Sequence, residues 1–289
     1  MADVWGWLAD PLEFEFMQRA LLAVALVGAV SAVVGAFVVV RGMAFIGDAL
    51  AHASFAGVAA AFALGVSLYL GAVVAAVATA LGIAFISQRG RLRFDTAIGV
   101  LFVGAFALGI VIVSRQENYT VDLFSFMFGN VLGVSWGDLA LMAGLGAVVV
   151  ALVAAFYKEL LFIAYDPTVA AAAGVPTRPL EYGLLALVAV STVVALQTVG
   201  IVLVIAMLVT PAATASLLVR RLHLVIYLGA ALAVVSAVIG LYVSYHAEVA
   251  SGAAIVLVAT ALFAVALLLA PRRGLLARWR GSWRPEAGS

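Results

Sequence analysis

Asp48 and His52 stand four residues apart in Arg41-Gly-Met-Ala-Phe-Ile-Gly-Asp-Ala-Leu-Ala-His-Ala-Ser-Phe-Ala-Gly57, with small or apolar residues on nearly every side. On a helix that spacing puts the carboxylate and the imidazole on one face. Together they make half of a divalent-metal site. Ionisable groups at membrane depth are costly and by default mark a functional site. The competing reading places both at the cytosolic interface, with Asp48 only capping a helix that begins near it. Capping leaves His52 without a role, and both readings stay open at this point.

Few other residues could do chemistry. His246 and Glu248 lie in Tyr245-His-Ala-Glu-Val-Ala-Ser251 and form either a candidate outer access site or an ordinary solvated loop. His223 follows Arg220 and Arg221 and reads as interfacial basicity. Thr210-Pro211 reads as a helix end or a kink. There are no cysteines, which removes disulfides, thiolate metal sites and cysteine nucleophiles. The one lysine, Lys158, sits in Phe-Tyr-Lys-Glu, so the chain has no glycine-rich phosphate cradle. If ATP drives this protein, another polypeptide hydrolyses it. An intramembrane protease would need a second catalytic Asp or a Ser/His pair at membrane depth, and a metallopeptidase would need H-E-x-x-H, which is absent. A secondary transporter would show more intramembrane charge or an inverted repeat.

The elements that must hold these residues are membrane helices. Hydrophobic residues make up 67% of the 289 and charged residues only 10%, and the mean hydropathy is +1.26. Such a chain is no soluble globule. Apolar runs near the ~20 residues needed to cross a bilayer recur along its length. They predict one all-α domain over 1–289 with about nine spans, near 19–40, 51–68, 70–87, 96–114, 138–157, 183–198, 200–218, 224–243 and 252–270. The junctions at Gly65–Gly71 and Gln197–Gly200 are short, and merging the latter would give eight spans.

Basic residues orient the bundle. In the nine-span arrangement Arg41, Arg89, Arg91, Arg93, Lys158, Arg178, Arg220, Arg221 and the tail residues Arg272, Arg273, Arg278, Arg280 and Arg284 share one side, while only Arg19 and Arg115 fall on the other. Cytoplasmic loops carry the excess of Lys and Arg. The C-terminus, with its basic tail 271–289, is therefore expected in the cytosol and the N-terminus outside. The acids Asp3, Asp10, Glu13, Glu15, Glu117, Asp122, Asp138 and Glu248 lean outward. Between the fourth and fifth spans, Asn118–Gly137 is apolar, aromatic and too short to cross, and reads as an outer interfacial or re-entrant segment.

Tyr165-Asp-Pro-Thr-Val-Ala-Ala-Ala-Ala-Gly-Val-Pro-Thr-Arg-Pro-Leu180 is the one long cytosolic connection. Asp166 then Pro167 reads as an N-cap and first helical residue. Gly174 can end the helix, and Pro176 forbids its continuation. A helix of about two turns is too short to be stable alone. It is either an element that docks onto a partner or a plain connector.

The stretch Met43-Ala-Phe-Ile-Gly-Asp-Ala-Leu-Ala-His-Ala-Ser54 resembles the signature of the membrane permeases of bacterial zinc and manganese ABC importers. Asp166–Pro176, Val194–Thr214 and Ser251–Leu257 are similar, in the same order, to the family's coupling helix, to the pair of spans after it and to the start of the last span. The resemblance implies the fold of the vitamin B12 and siderophore importer permeases without their first helix. It also implies a multi-pass protein of the bacterial inner membrane and a second copy of the chain as partner. A cytosolic ABC ATPase dimer and an extracytoplasmic metal-binding protein complete the implied assembly, with no nucleic acid.

Asp166, Pro167, Ala172 and Gly174, in a coupling helix over about 166–175, would contact the ATPase. No cofactor is expected to be permanently bound; the ion is cargo, Zn2+ more than Mn2+. Two Asp48 and two His52 across a two-fold axis would supply four ligands. The family's usual Asp and Pro before Ser-Gly are replaced here, with Glu248 as the nearest acid. The alternatives are a permease for a metal chelate, which shares the fold but should lack the Asp48/His52 pair, and a secondary metal transporter.

Overall fold

The computed structural model describes residues 9–90, 92–115 and 131–270, without the side chains of 197 and 198. Residues 118–130 of the expected outer segment 118–137, and the tail 271–289, lie outside the described residues. Among those described there are eleven α-helices and no strands: α1 Glu15–Val40, α2 Ile46–Leu64, α3 Leu68–Gly90, α4 Phe94–Val113, α5 Trp136–Ala155, α6 Tyr157–Tyr165, α7 Pro167–Ala172, α8 Thr177–Val199, α9 Ile201–Leu218, α10 Leu222–Ala247 and α11 Ser251–Leu269. All but α6 and α7 are long and apolar enough to cross a membrane, nine in number among the described residues. In lipid a helix satisfies its backbone internally, so sequences this apolar form helices rather than open strands.

Two sets of contacts define the ends of the bundle. At one end the ring of Phe14, before α1, lies 6.2 Å from that of Tyr245, late in α10. There the Trp136 indole N–H, at the start of α5, also donates to Glu15 Oε1 at 2.9 Å. At the other, basic end the last residues of α1 and α3 meet the first of α4 and α8 through Arg41, Gln88, Phe94 and Glu181. Tyr157 of α6 is also at the basic end. Burial pushes its phenol up, the neighbouring Tyr165 adds to this, the His223 backbone opposes it and Tyr227 raises it further.

Small residues set the packing. Where α2 crosses α3, a Cβ on Gly57 would fall inside the backbone of Gly71, and one on Gly71 inside that of Gly57. A Cβ on Gly109 of α4 would come within 3.0 Å of the Ala56 backbone. With little hydrophobic driving force in lipid, such close approach and its van der Waals contact hold the helices together. One apolar cluster fills the basic half around Phe37, Met43, Ile46, Leu50, Ile83 and Leu184. A second fills the opposite half around Met17, Val24, Leu203, Met207 and Ile255. The spans of α1 and α2 are each 61% buried and that of α4 only 17%, so α2 is central and α4 peripheral.

Several expected boundaries move. The second span begins at Ile46, not near 51, because Ile46, Gly47, Ala49 and Leu50 are all buried in the core. Thr210-Pro211 is neither end of a helix: Pro211 is buried inside α9, and Thr214 Oγ1 donates to Thr210 O at 2.7 Å just beyond it. The eighth span runs on to Ala247, which puts His246 in its last turn and not in a loop. The break between α8 and α9 is one residue, Gly200 at φ 79°, ψ 164°, a conformation essentially reserved for glycine. It separates α8, which packs on α3, from α9, which packs on α11, α1 and α10.

Candidate functional site

α2 carries the pair. Its N-cap is Phe45, without a side-chain cap bond, and Asp48 lies inside the first turn. The capping reading of Asp48 is therefore corrected: the helix starts earlier because its first residues are drawn into the core. Asp48 and His52 share a face one turn apart, with Asp48 Oδ1 3.1 Å from His52 Nδ1. The Asp48 carbonyl oxygen lies 3.0 Å from the same Nδ1. Both partners are acceptors, so the Nδ1–H tautomer satisfies them and Nε2 is left as the other ring nitrogen. A metal-binding imidazole is normally held this way through its other nitrogen.

The rest of the imidazole is held by α4. Phe102 and Phe106 meet it nearly edge to face, at 5.1 and 5.4 Å between centroids and interplanar angles of 76° and 84°. The pair is only partly covered, with 20% of the His52 side chain and 34% of Asp48 exposed. Along the backbone on either side, Ala49, Leu50, Ala51, Ala53 and Ser54 are buried. Among the described residues no three His, Asp or Glu side chains converge. One chain thus offers two donor groups, open on one side and next to a helix whose outer face, with Val100, Val103 and Leu108, is exposed and apolar.

The remaining expected positions fall elsewhere. Asp166 Oδ1 accepts from the Thr168 and Val169 amides at 3.0 and 2.9 Å, and Pro167 follows as the first residue of α7. Behind Ala172, the Val175 amide donates to Ala170 O and the Gly174 amide to Ala171 O, both at 3.0 Å, with Gly174 at φ 84°. That is a Schellman closure, which ties off a helix of six residues at both ends. Only Ala170 of this helix is buried, while Val169, Tyr165 and Phe162 present apolar surface. His246 packs on Tyr245 and Tyr242 at 5.2 and 6.5 Å between ring centroids. Glu248 is the exposed C-cap of α10, at φ 55°.

Two groups of residues escaped the sequence reading. Phe102 and Phe106 are the first: an i, i+4 aromatic pair in a helix that after its first turn is otherwise Gly, Ala and aliphatic is the available signal. Arg41 and Glu181 are the second. In the sequence Arg41 reads only as topological charge, and Glu181 is the one acid between Asp166 and Glu248.

Nine membrane-length helices among the described residues, with an acid–imidazole pair open on one side, define a polytopic membrane protein. Residues 13–270 match the ABC 3 transport family, and the chain belongs to that family. It is 48% identical over 287 residues to the manganese transport system membrane protein MntC of Halalkalibacterium halodurans, covering 99% of this chain and 98% of that one. It is 47% identical over 270 residues to the MntC of Listeria monocytogenes, covering 93% and 96%. Among solved structures it is similar to PsaBC from Streptococcus pneumoniae in complex with Fab, with a TM-score of 0.83 and 36% identity over 96% of this chain and 99% of that one.

Proposed function

We propose that the protein is the permease subunit of an ATP-driven importer of divalent transition-metal ions, with Mn2+ the principal cargo and Zn2+ a competitor. The observation that carries this reading is the Asp48–His52 pair: two donors on a central helix, the imidazole oriented through Nδ1 and left open at Nε2. The names of the relatives favour manganese over the zinc expected from the residues alone. The donor set serves both ions, since carboxylate suits Mn2+ and imidazole suits Zn2+.

Two ligands do not hold a cation firmly. A second copy placed across a two-fold axis, with the open side of the pair at the seam, brings a second Asp48 and His52 to the first. Four groups bind a divalent ion, and waters complete the shell for Mn2+. A cytosolic ATPase dimer docks on the α7 segment and an extracytoplasmic binding protein delivers the ion, with the N-terminus outside and the C-terminus in the cytosol. ATP-driven closure, felt through α7, reshapes the seam and releases the ion inward.

The test is Mn2+ uptake by the complex reconstituted in vesicles with its ATPase and binding protein, with Zn2+ in competition. Saturable, ATP-dependent uptake that is lost in the His52→Ala complex is expected. Uptake unchanged in both His52→Ala and Asp48→Ala would remove the site, and selective uptake of a chelate over the free ion would replace the cargo.

A further inference from the structure

The basic end of the bundle contains a buried polar node that the transport reading does not use. Arg41 Nη2 lies 2.5 Å from Glu181 Oε1, with side chains only 8% and 14% exposed. The Gln88 amide donates to Glu181 Oε2 at 2.8 Å. The Arg41 guanidinium sits 5.3 Å from the centre of the Phe94 ring. Four helix ends meet here: the C-cap of α1, the end of α3, the start of α4 and the first turns of α8. A buried ion pair is a poor way to gain stability, since desolvation offsets most of the attraction. Packed hydrophobic side chains would hold these ends together as well. A charge-assisted contact from a rigid guanidinium instead enforces one relative placement of the two helices.

The node lies between the ATPase-docking segment and the ion pair. Glu181 is nine residues beyond Ala172, the end of α7, and the chain between them includes Pro176 and Pro179. The Val175 amide is bonded back to Ala170, so the connection is short and stiff. On the other side, Arg41 opens the turn that feeds α2. In this turn Met43 is fully buried and its amide donates to Val38 O at 3.0 Å. Asp48 follows seven residues after Arg41. Through Phe94 the guanidinium also touches the base of α4, the helix whose Phe102 and Phe106 hold His52.

We propose that Arg41 and Glu181 are positioning residues that transmit displacement of the α7–α8 connection to the Asp48–His52 pair, through the 41–45 turn and through α4. This rests on the importer reading above. Movement of α8 relative to α1 carries the Arg41 fork with it, and so moves the start of α2 and the base of α4 together. The donors and the aromatic wall of the ion site then shift as one unit, and neither ATP nor the partner chain has to touch them.

The test uses the reconstituted complex with its ATPase, in wild-type, E181Q and R41K forms. E181Q keeps the shape and hydrogen-bonding capacity of the side chain but loses the charge. R41K keeps the charge but loses the fork and the ring contact. Two quantities are read: Mn2+ moved per ATP hydrolysed, and the ratio of Mn2+ affinities in the nucleotide-free and ATP-locked complexes. In a folded variant, ATP hydrolysis is expected to persist while Mn2+ per ATP falls about tenfold and the affinity ratio moves toward one, as loss of coupling between sites requires.

Wild-type values of both quantities in E181Q and R41K would overturn the proposal. Failure of both variants to assemble would also overturn it, since the node would then be an element of folding rather than of coupling. A wild-type complex that hydrolyses ATP and moves a chelate but no free Mn2+ would overturn the proposed function instead.

Discussion

His52 Nδ1 is bonded to two oxygens of the same residue one turn earlier, the Asp48 carbonyl at 3.0 Å and its carboxylate at 3.1 Å. The imidazole is thereby held through Nδ1 before any ion arrives, which leaves Nε2 for the proposed cation. His52→Ala removes that proposed ligand and should abolish Mn2+ uptake. Asp48→Asn keeps an acceptor for Nδ1–H but lowers the charge of the site. It should weaken Mn2+ binding without abolishing it, since a neutral amide oxygen then replaces one of the proposed carboxylate donors. Isothermal titration and uptake on complexes with normal subunit ratio check both, and equal effects of the two substitutions would contradict this division of roles.

Phe102 and Phe106 hold the ring from α4. Edge-to-face aromatic contacts contribute about 0.5–1.5 kcal/mol each beyond their buried area. Phe106→Leu preserves apolar volume and loses that geometry. The expected outcome is a raised KM for Mn2+, with unfolding temperature within a few degrees of wild type. A lowered turnover at unchanged KM would show that the ring governs a later step instead.

The nine spans are legible in the chain because each apolar run approaches bilayer thickness and glycine or charge marks most of the breaks. Their ends are less so. Counting apolar residues starts the second span near Ala51, between Asp48 and His52, whereas burial of Ile46, Ala49 and Leu50 starts it before Asp48. Tyr245 and His246 look like loop residues because they are polar, yet they continue α10 and stack on its last turns. The i, i+4 spacing of Asp48 and His52 places them together without any tertiary information. Arg41 and Glu181 are 140 residues apart, and no local pattern connects them. The crossing at Gly57 and Gly71 is equally hidden, because glycine is frequent throughout the chain.

That crossing supports a prediction about stability. Any side chain on Gly57 or Gly71 must displace the opposing backbone, not merely a neighbouring side-chain tip. Overpacking in a tight core costs about 1–3 kcal/mol and more where backbone must move. Gly57→Val should therefore separate α2 from α3 and sharply lower the unfolding temperature in detergent. Gly144→Val, on α5 with open space around it, should leave that temperature nearly unchanged. Similar melting of the two variants would mean that α2 and α3 do not cross so closely.

In the proposed importer the α7 segment separates assembly from ion binding. Loss of an N-cap costs about 1 kcal/mol of helix stability, so Asp166→Ala should loosen α7 without affecting the transmembrane spans. Gly174→Val is harsher, because φ 84° disfavours any β-branched residue. Both variants should purify with wild-type Mn2+ affinity in the isolated permease and capture less ATPase, Gly174→Val the less of the two. Bulky replacement of the exposed Ala172 attacks the same surface by sterics rather than by loss of helix. Capture of the ATPase at normal stoichiometry by all three variants would show that the subunits meet elsewhere, and α7 would then be only a connector between α6 and α8.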